Sequence, residues 1–445
     1  MIPVIVSARG MKQEVALVAA LWLGLVLGCE MPPSSISPTS GYLTNPAFAR
    51  AELTESLVNP SNGYSALRLS HYATDDASDW DRLPEWNPPA EPIAAAELDA
   101  PGGASATALA TDPAPLPLPA SVTSPDDPAL LALGKAAFER YPAQLAQYLR
   151  VGLTSRAAAE RAGLWVDDGQ GVGGLVRAEM ADGSVAVALT CSSCHSAALT
   201  AGGISPGTPN AALDLGAAVL AAQGISAAGS ADPRAAWGPG RVDVTTEAGT
   251  EPVRIPDLRP VRFLTYLQQD ATIRARDLTT LAIRIETLLI TDWGQVVRPP
   301  RVVALALAAY VDSLADSLPP PAAAAAASPN GAGLFEATCS SCHVPPAFTG
   351  EPVPLAVIGT DPTIGLSADR GTGTYRVPSL RGVGTRGPLL HDGTLPSVDA
   401  MFDPARLTDT FAQRLHGAGA VPGHLFGLDL SDADRQDLVT YLHSL

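Results

Sequence analysis

One five-residue word occurs twice in this chain, as Cys191-Ser-Ser-Cys-His195 and as Cys339-Ser-Ser-Cys-His343. Two thiols separated by two residues and followed at once by a histidine can bond both vinyl groups of a porphyrin while the imidazole ligates the iron. That is the attachment pattern of a c-type haem. With 5 Cys and 7 His in 445 residues, one accidental match is expected roughly once in a thousand such chains, and a repeat far more rarely. Competing chemistries fit less well. A thioredoxin-like pair has no need of the histidine, and a zinc site would pool donors from segments 148 residues apart. The sequence therefore predicts two covalently bound haem c groups, anchored by Cys191 and Cys194 and by Cys339 and Cys342, with His195 and His343 as axial ligands.

Each motif supplies one axial ligand, so the opposite face of each iron decides between electron carriage and catalysis. Between His195 and His343 there is neither His nor Met. Met180, beside the Asp182-Gly183 turn, and His71 are the candidates for the first iron. Each reads more readily as a turn or packing residue, and the first site is expected to be open or weakly occupied. After the second motif come His391, Met401, His416, His424 and His443. His443 falls in a last helical turn and His416 in a polar run, so both read as solvated. His391 precedes a turn and reads as a supporting residue.

The elements that must hold these groups are visible as periodicity. Leu130, Leu131, Leu133, Ala136 and Phe138 predict a helix from Ala129, and Arg274 to Leu289 and Val302 to Leu314 have the same spacing. Val172 to Leu189 alternates around Asp182-Gly183, which predicts a β-hairpin delivering the chain to Cys191. Ser431, Asp432 and Asp434 open a terminal helix bearing Leu438, Tyr441 and Leu442.

Lys12 followed by the apolar run Val15 to Gly28 reads as an export signal, too short to span a bilayer. Val26-Leu27-Gly28-Cys29 resembles a bacterial lipobox, which makes Cys29 the lipidated residue. No later apolar run is expected to cross a membrane, so the body hangs from a bacterial membrane by its lipid alone. It faces the periplasm or cell surface, with the outer membrane the preferred reading. The formal charge of −17 argues against nucleic acid or an anionic lipid face as partner. A redox partner protein or a small oxidant, dioxygen or hydrogen peroxide, is the expected partner.

Tyr375-Arg-Val-Pro-Ser-Leu-Arg381 and Gly387-Pro-Leu-Leu-His-Asp-Gly-Thr-Leu-Pro-Ser397 resemble the C-terminal signature of the bacterial dihaem cytochrome c peroxidases, MauG-like proteins and rubber oxygenases. The stretch from Gly423-His-Leu-Phe-Gly to Leu442 is similar to the rubber-oxygenase-like branch. That likeness implies His424 as the second ligand of the second haem, with Met401 as the alternative by analogy with the peroxidases. It covers residues 331–445 well and 133–314 thinly, through Trp237-Gly-Pro-Gly-Arg-Val-Asp243 and Ile255-Pro-Asp-Leu258, with no match before residue 129.

The resulting expectation is a mainly α fold: two cytochrome c-type haem domains with long loops and a small β-hairpin before the first haem. Residues 1–28 form the signal peptide, 29–128 a lipid-anchored spacer and wrapping segment, 129–318 the first haem domain, 319–329 a Pro/Ala linker and 330–445 the second domain. The expected function is that of an exported haem oxidoreductase, peroxidase- or dioxygenase-like, with an open first haem and a low-spin second haem. A non-enzymatic electron carrier with both haems six-coordinate is the alternative. Trp237 or Trp293 could bridge the haems, and Arg376, Arg381 and Arg386 could meet haem propionates. Glu286 or Asp277 could serve as a distal acid or base. No catalytic residue is assigned.

Overall fold

The computed structural model describes residues 38–72, 83–122, 124–243, 250–413 and 417–445. The export signal, Cys29 and His416 lie outside the described residues.

The Pro128–Arg140 helix starts where Asp127 accepts the Ala129 N–H and proline occupies the first helical position. Its Leu130, Leu133, Ala137 and Phe138 form a core with the Leu278–Asp292 and Arg301–Ser313 helices. Gly134 lets two helices touch, because a Cβ there would lie 2.0 Å from the Ala306 carbonyl oxygen. By length and composition, Arg301–Ala327 could cross a bilayer, contrary to the expectation that no such run lies beyond the signal. Its residues from Val303 to Ala309 are buried in this core.

Ahead of this helix, Tyr42, Leu53, Leu57, Tyr64 and Tyr72 belong to the same core. The Tyr42 hydroxyl donates to the buried Glu286 carboxylate at 2.5 Å. Residues 38–72 are thus part of the body.

Strands Leu175–Glu179 and Val185–Leu189 form the expected hairpin, in register from Leu175 opposite Leu189 to Glu179 opposite Val185. Ala90–Pro92 and Gln144–Leu145 extend it to a four-stranded sheet. Six further two-stranded sheets occur among the described residues. With 40% helix and 14% strand, the fold is mixed α and β, and the mainly α expectation is corrected. Gly- and Pro-rich stretches without helical periodicity had read as loops. Buried backbone still needs hydrogen-bond partners, and much of it finds them in two-residue ladders.

In the C-terminal region the Pro329–Thr338 and Asp432–His443 helices cross, with Phe335 against Tyr441 at a ring separation of 5.4 Å. The linker stretch contains a helix of its own, Pro321–Ala327, and its Ala324 is buried in the C-terminal core.

Candidate haem-binding sites

The second motif begins at the C-terminus of the Pro329–Thr338 helix, where the Cys339 N–H donates to Phe335 O at 2.8 Å and the His343 N–H to Cys339 O at 2.9 Å. His343 Nδ1 lies 3.2 Å from the Phe348 carbonyl oxygen. A carbonyl only accepts, so Nδ1 carries the proton and Nε2 keeps its lone pair. Cys339, Cys342 and His343 line one cavity with Leu380, Val383, Phe402, Met401 and His424. The cavity holds about 1330 Å³ free of protein atoms, solvent at its mouth included.

His424 is delivered by a strained turn. Its φ is +44° and that of Gly423 is +78°, a region costly for any residue but glycine. A Cβ on Gly423 would stand 2.3 Å from Thr360 N, so only glycine fits there. The buried Arg406 guanidinium fixes the turn by donating to Gly423 O at 2.9 Å and His424 O at 2.8 Å. Burial, helped by His424, lowers His343 to about 4, and burial likewise lowers His424 to about 4. Both imidazoles are neutral and ligand-ready near neutral pH.

Three arginines line the same cavity: Arg254, Arg376 and Arg386. Each has a buried Nε without a hydrogen-bond partner, and Arg254 Nη1 is in the same state. Burial lowers Arg254 to about 9 and Arg376 to about 10, and in both cases Arg386 adds repulsion. Three crowded guanidiniums with unmet donors call for an anion. Of the three arginines expected from sequence, Arg376 and Arg386 face the cavity. Arg381 instead donates to Pro319 O at 2.7 Å and lies over the Phe263 ring. Arg254 was missed, since it lies in the preceding domain with no local signal.

At the first motif, the Thr190 and Ser193 hydroxyls donate to the Gly174 carbonyl at 2.8 and 2.9 Å, tying the motif to the hairpin. Gly174 has φ +61°, and a Cβ there would lie 2.7 Å from Ser193 N. His195 Nδ1 lies 3.0 Å from the Pro256 carbonyl oxygen, which again leaves Nε2 its lone pair. Burial lowers this imidazole to about 4. It also holds the Cys191 and Cys194 thiols up at about 12 and Cys339 at about 11, whereas a redox Cys-x-x-Cys needs a lowered thiol.

The two candidate caps for the first site are placed elsewhere or engaged. Met180 sits at the far end of the hairpin, about 17 Å along it from Leu189 at the usual rise per residue. His71 Nε2 lies 3.0 Å from Thr291 Oγ1, whose own hydrogen goes to Thr287 O. The bond therefore uses the Nε2 proton.

Asp277 caps the Leu278–Asp292 helix by accepting the Thr280 N–H at 3.0 Å, and Glu286 anchors Tyr42. The acid that acts electrostatically on Cys191 and Cys194 is Asp292, raised by burial to about 7 against the pull of Arg68 and Arg284. Trp293 rests against Trp86 at 4.4 Å and donates to Pro142 O, while Trp237 belongs to the hairpin's core. Neither tryptophan lines the second cavity. Its aromatic lining is Phe402, Phe426 and Tyr375, the last stacked on His391 at 4.3 Å. His443 lies outside it, 2.9 Å from Asp399.

These donor sets fit haem c: a thiol pair, an imidazole with a free Nε2 in each motif, and at the second site an apolar cavity with an arginine rim. Among the described residues no three His, Cys, Asp or Glu side chains converge to hold a metal ion between them. No protein-family model matches this sequence, and no curated protein matches it.

Proposed function

We propose that this protein is an exported dihaem c-type oxidoreductase of the cytochrome c peroxidase, MauG and rubber oxygenase kind, lipid-anchored through Cys29. The His195 site is the reaction centre, and the site of His343 and His424 passes electrons to or from it. Bound haem c supplies electron transfer where both axial positions are filled and binds dioxygen or peroxide where one is open. The observation that carries the reading is unequal capping. His343 and His424 share one cavity, whereas Met180 and His71 are respectively remote and engaged.

On this reading Cys191, Cys194, Cys339 and Cys342 hold the porphyrins, and Arg254, Arg376 and Arg386 neutralise the second haem's carboxylates. Asp292, its carboxyl raised by burial, is the acid whose charge the first-site cysteines feel. Optical and electron paramagnetic resonance spectra of the oxidised protein test the assignment. One high-spin haem that responds to hydrogen peroxide beside one low-spin haem is expected; two low-spin haems would leave an electron carrier.

A further inference from the structure

One three-residue segment touches both sites. Arg254 reaches the second cavity with its side chain, and two residues later Pro256 holds His195 Nδ1 with its carbonyl. The backbone between them is pinned. The Arg254 N–H donates to His391 O at 3.1 Å, and Ile255 N–H to Gly240 O at 2.9 Å. Arg254 O accepts from Gln269 Nε2 at 2.9 Å, and Val253–Arg254 pairs with Arg241–Val242. Asp257, the next residue, is buried and paired with Arg259 at 2.7 Å.

We propose that Arg254, Ile255 and Pro256 form a rigid coupler through which the anion held at the second site sets the hydrogen bond on His195 at the first. The proposal rests on the dihaem reading. Arg254 Nε and Nη1 lack partners among the described residues and are repelled by Arg376 and Arg386, so an anion in the cavity determines where the guanidinium settles. Its backbone cannot absorb that movement locally, since both its polar groups are committed. The displacement passes to the Pro256 carbonyl, and the strength of an Nδ1 hydrogen bond tunes how strongly an imidazole donates to its metal. Arg254 and Pro256 are accordingly positioning residues, and the coupling is reciprocal.

The test compares R254Q with R376Q in the purified holoprotein. Both remove one cation from the second cavity and should shift the second haem's redox equilibrium about tenfold toward the oxidised form. Only R254Q should also shift the iron–histidine vibration of the reduced first haem, and R254K should restore it. A first-site vibration unchanged in R254Q, or moved equally by R376Q, overturns the coupler. If R254Q fails to accumulate, Q269L cuts the backbone pin without changing charge. Because Gln269 also lines the second cavity, only the first-site vibration is read: it should move, and an unmoved vibration again overturns the coupler. Absence of covalent haem from the parent protein would instead defeat the dihaem reading itself.

Discussion

The two halves of the molecule open alike. Gly134-x-x-x-Phe138 and Gly331-x-x-x-Phe335 each lie in a helix whose glycine admits a crossing helix. A Cβ would stand 2.0 Å from Ala306 O in one case and 2.2 Å from Asp437 O in the other. Each phenylalanine meets a tyrosine of the crossing helix, Phe138 with Tyr310 at 5.3 Å and Phe335 with Tyr441 at 5.4 Å. Beyond the phenylalanine the two halves diverge. Cys339 comes four positions after Phe335, whereas residues 139–190 separate Phe138 from Cys191 and contain the hairpin and the Gln144–Leu145 strand beside it. This insertion leaves Cys191 against the N-terminal helical core and Cys194 against the hairpin's core. The second half also carries the Gly423-His424 turn between its motif and its last helix. The first half has no His or Met in the corresponding stretch. On the proposed dihaem reading, one scaffold would carry two differently capped sites, because the helix crossing is independent of the loops that close the far face.

The sharpest way to break this equivalence is to remove one pair of anchors at a time. C191A/C194A and C339A/C342A should each halve the haem content, from two per chain to one, read by the absorbance of the pyridine complex. A chain that kept both haems after either change would show that the motif does not anchor haem. Next in size, H424A should turn the second haem high-spin and leave the first unaltered, while M401L leaves both as they were. The reverse result would transfer the ligand to Met401. Smaller again is the cost of the shared crossing. F138A and F335A each delete a fully buried ring and should destabilise their own half by about 3–5 kcal/mol, measured by denaturant unfolding. A large loss in only one half would mean that the two crossings are not equivalent.

The two motifs, the hairpin and the main helices were legible because each is written in local spacing. The Pro128–Arg140 helix even begins at the Pro and Asp that cap it. Arg254 and Arg406 were not legible, since an isolated arginine acquires its role only when the chain brings an anion site or a strained carbonyl turn against it. The core role of Tyr42 and Leu53 was hidden for the same reason: the partner of Tyr42 lies more than 200 residues away in sequence. The fold class was misjudged through the short ladders, whose strands of two or three residues are too brief to show alternation.

The smallest expected effect concerns His71, which ties the N-terminal helices to the Leu278–Asp292 helix and is 3% exposed. Burial, with Arg68 adding repulsion, lowers its imidazole from the ordinary 6.5 to about 4. Between those two values the unfolded chain binds the proton and the folded chain does not. Stability therefore falls as pH is lowered through that window and is independent of this group above it. The full loss, reached below pH 4, is on the order of 3 kcal/mol. H71Q keeps a donor for Thr291 but cannot titrate, so its unfolding free energy should lose this part of the slope between pH 6.5 and 4. H443Q in the C-terminal half loses two exposed contacts, with Asp399 and with the Gly384 carbonyl, and should change stability by less than about 1 kcal/mol. An H71Q profile as steep as that of the parent would mean that the N-terminal helices do not hold this histidine out of water, and that the first half is more open than its packing implies.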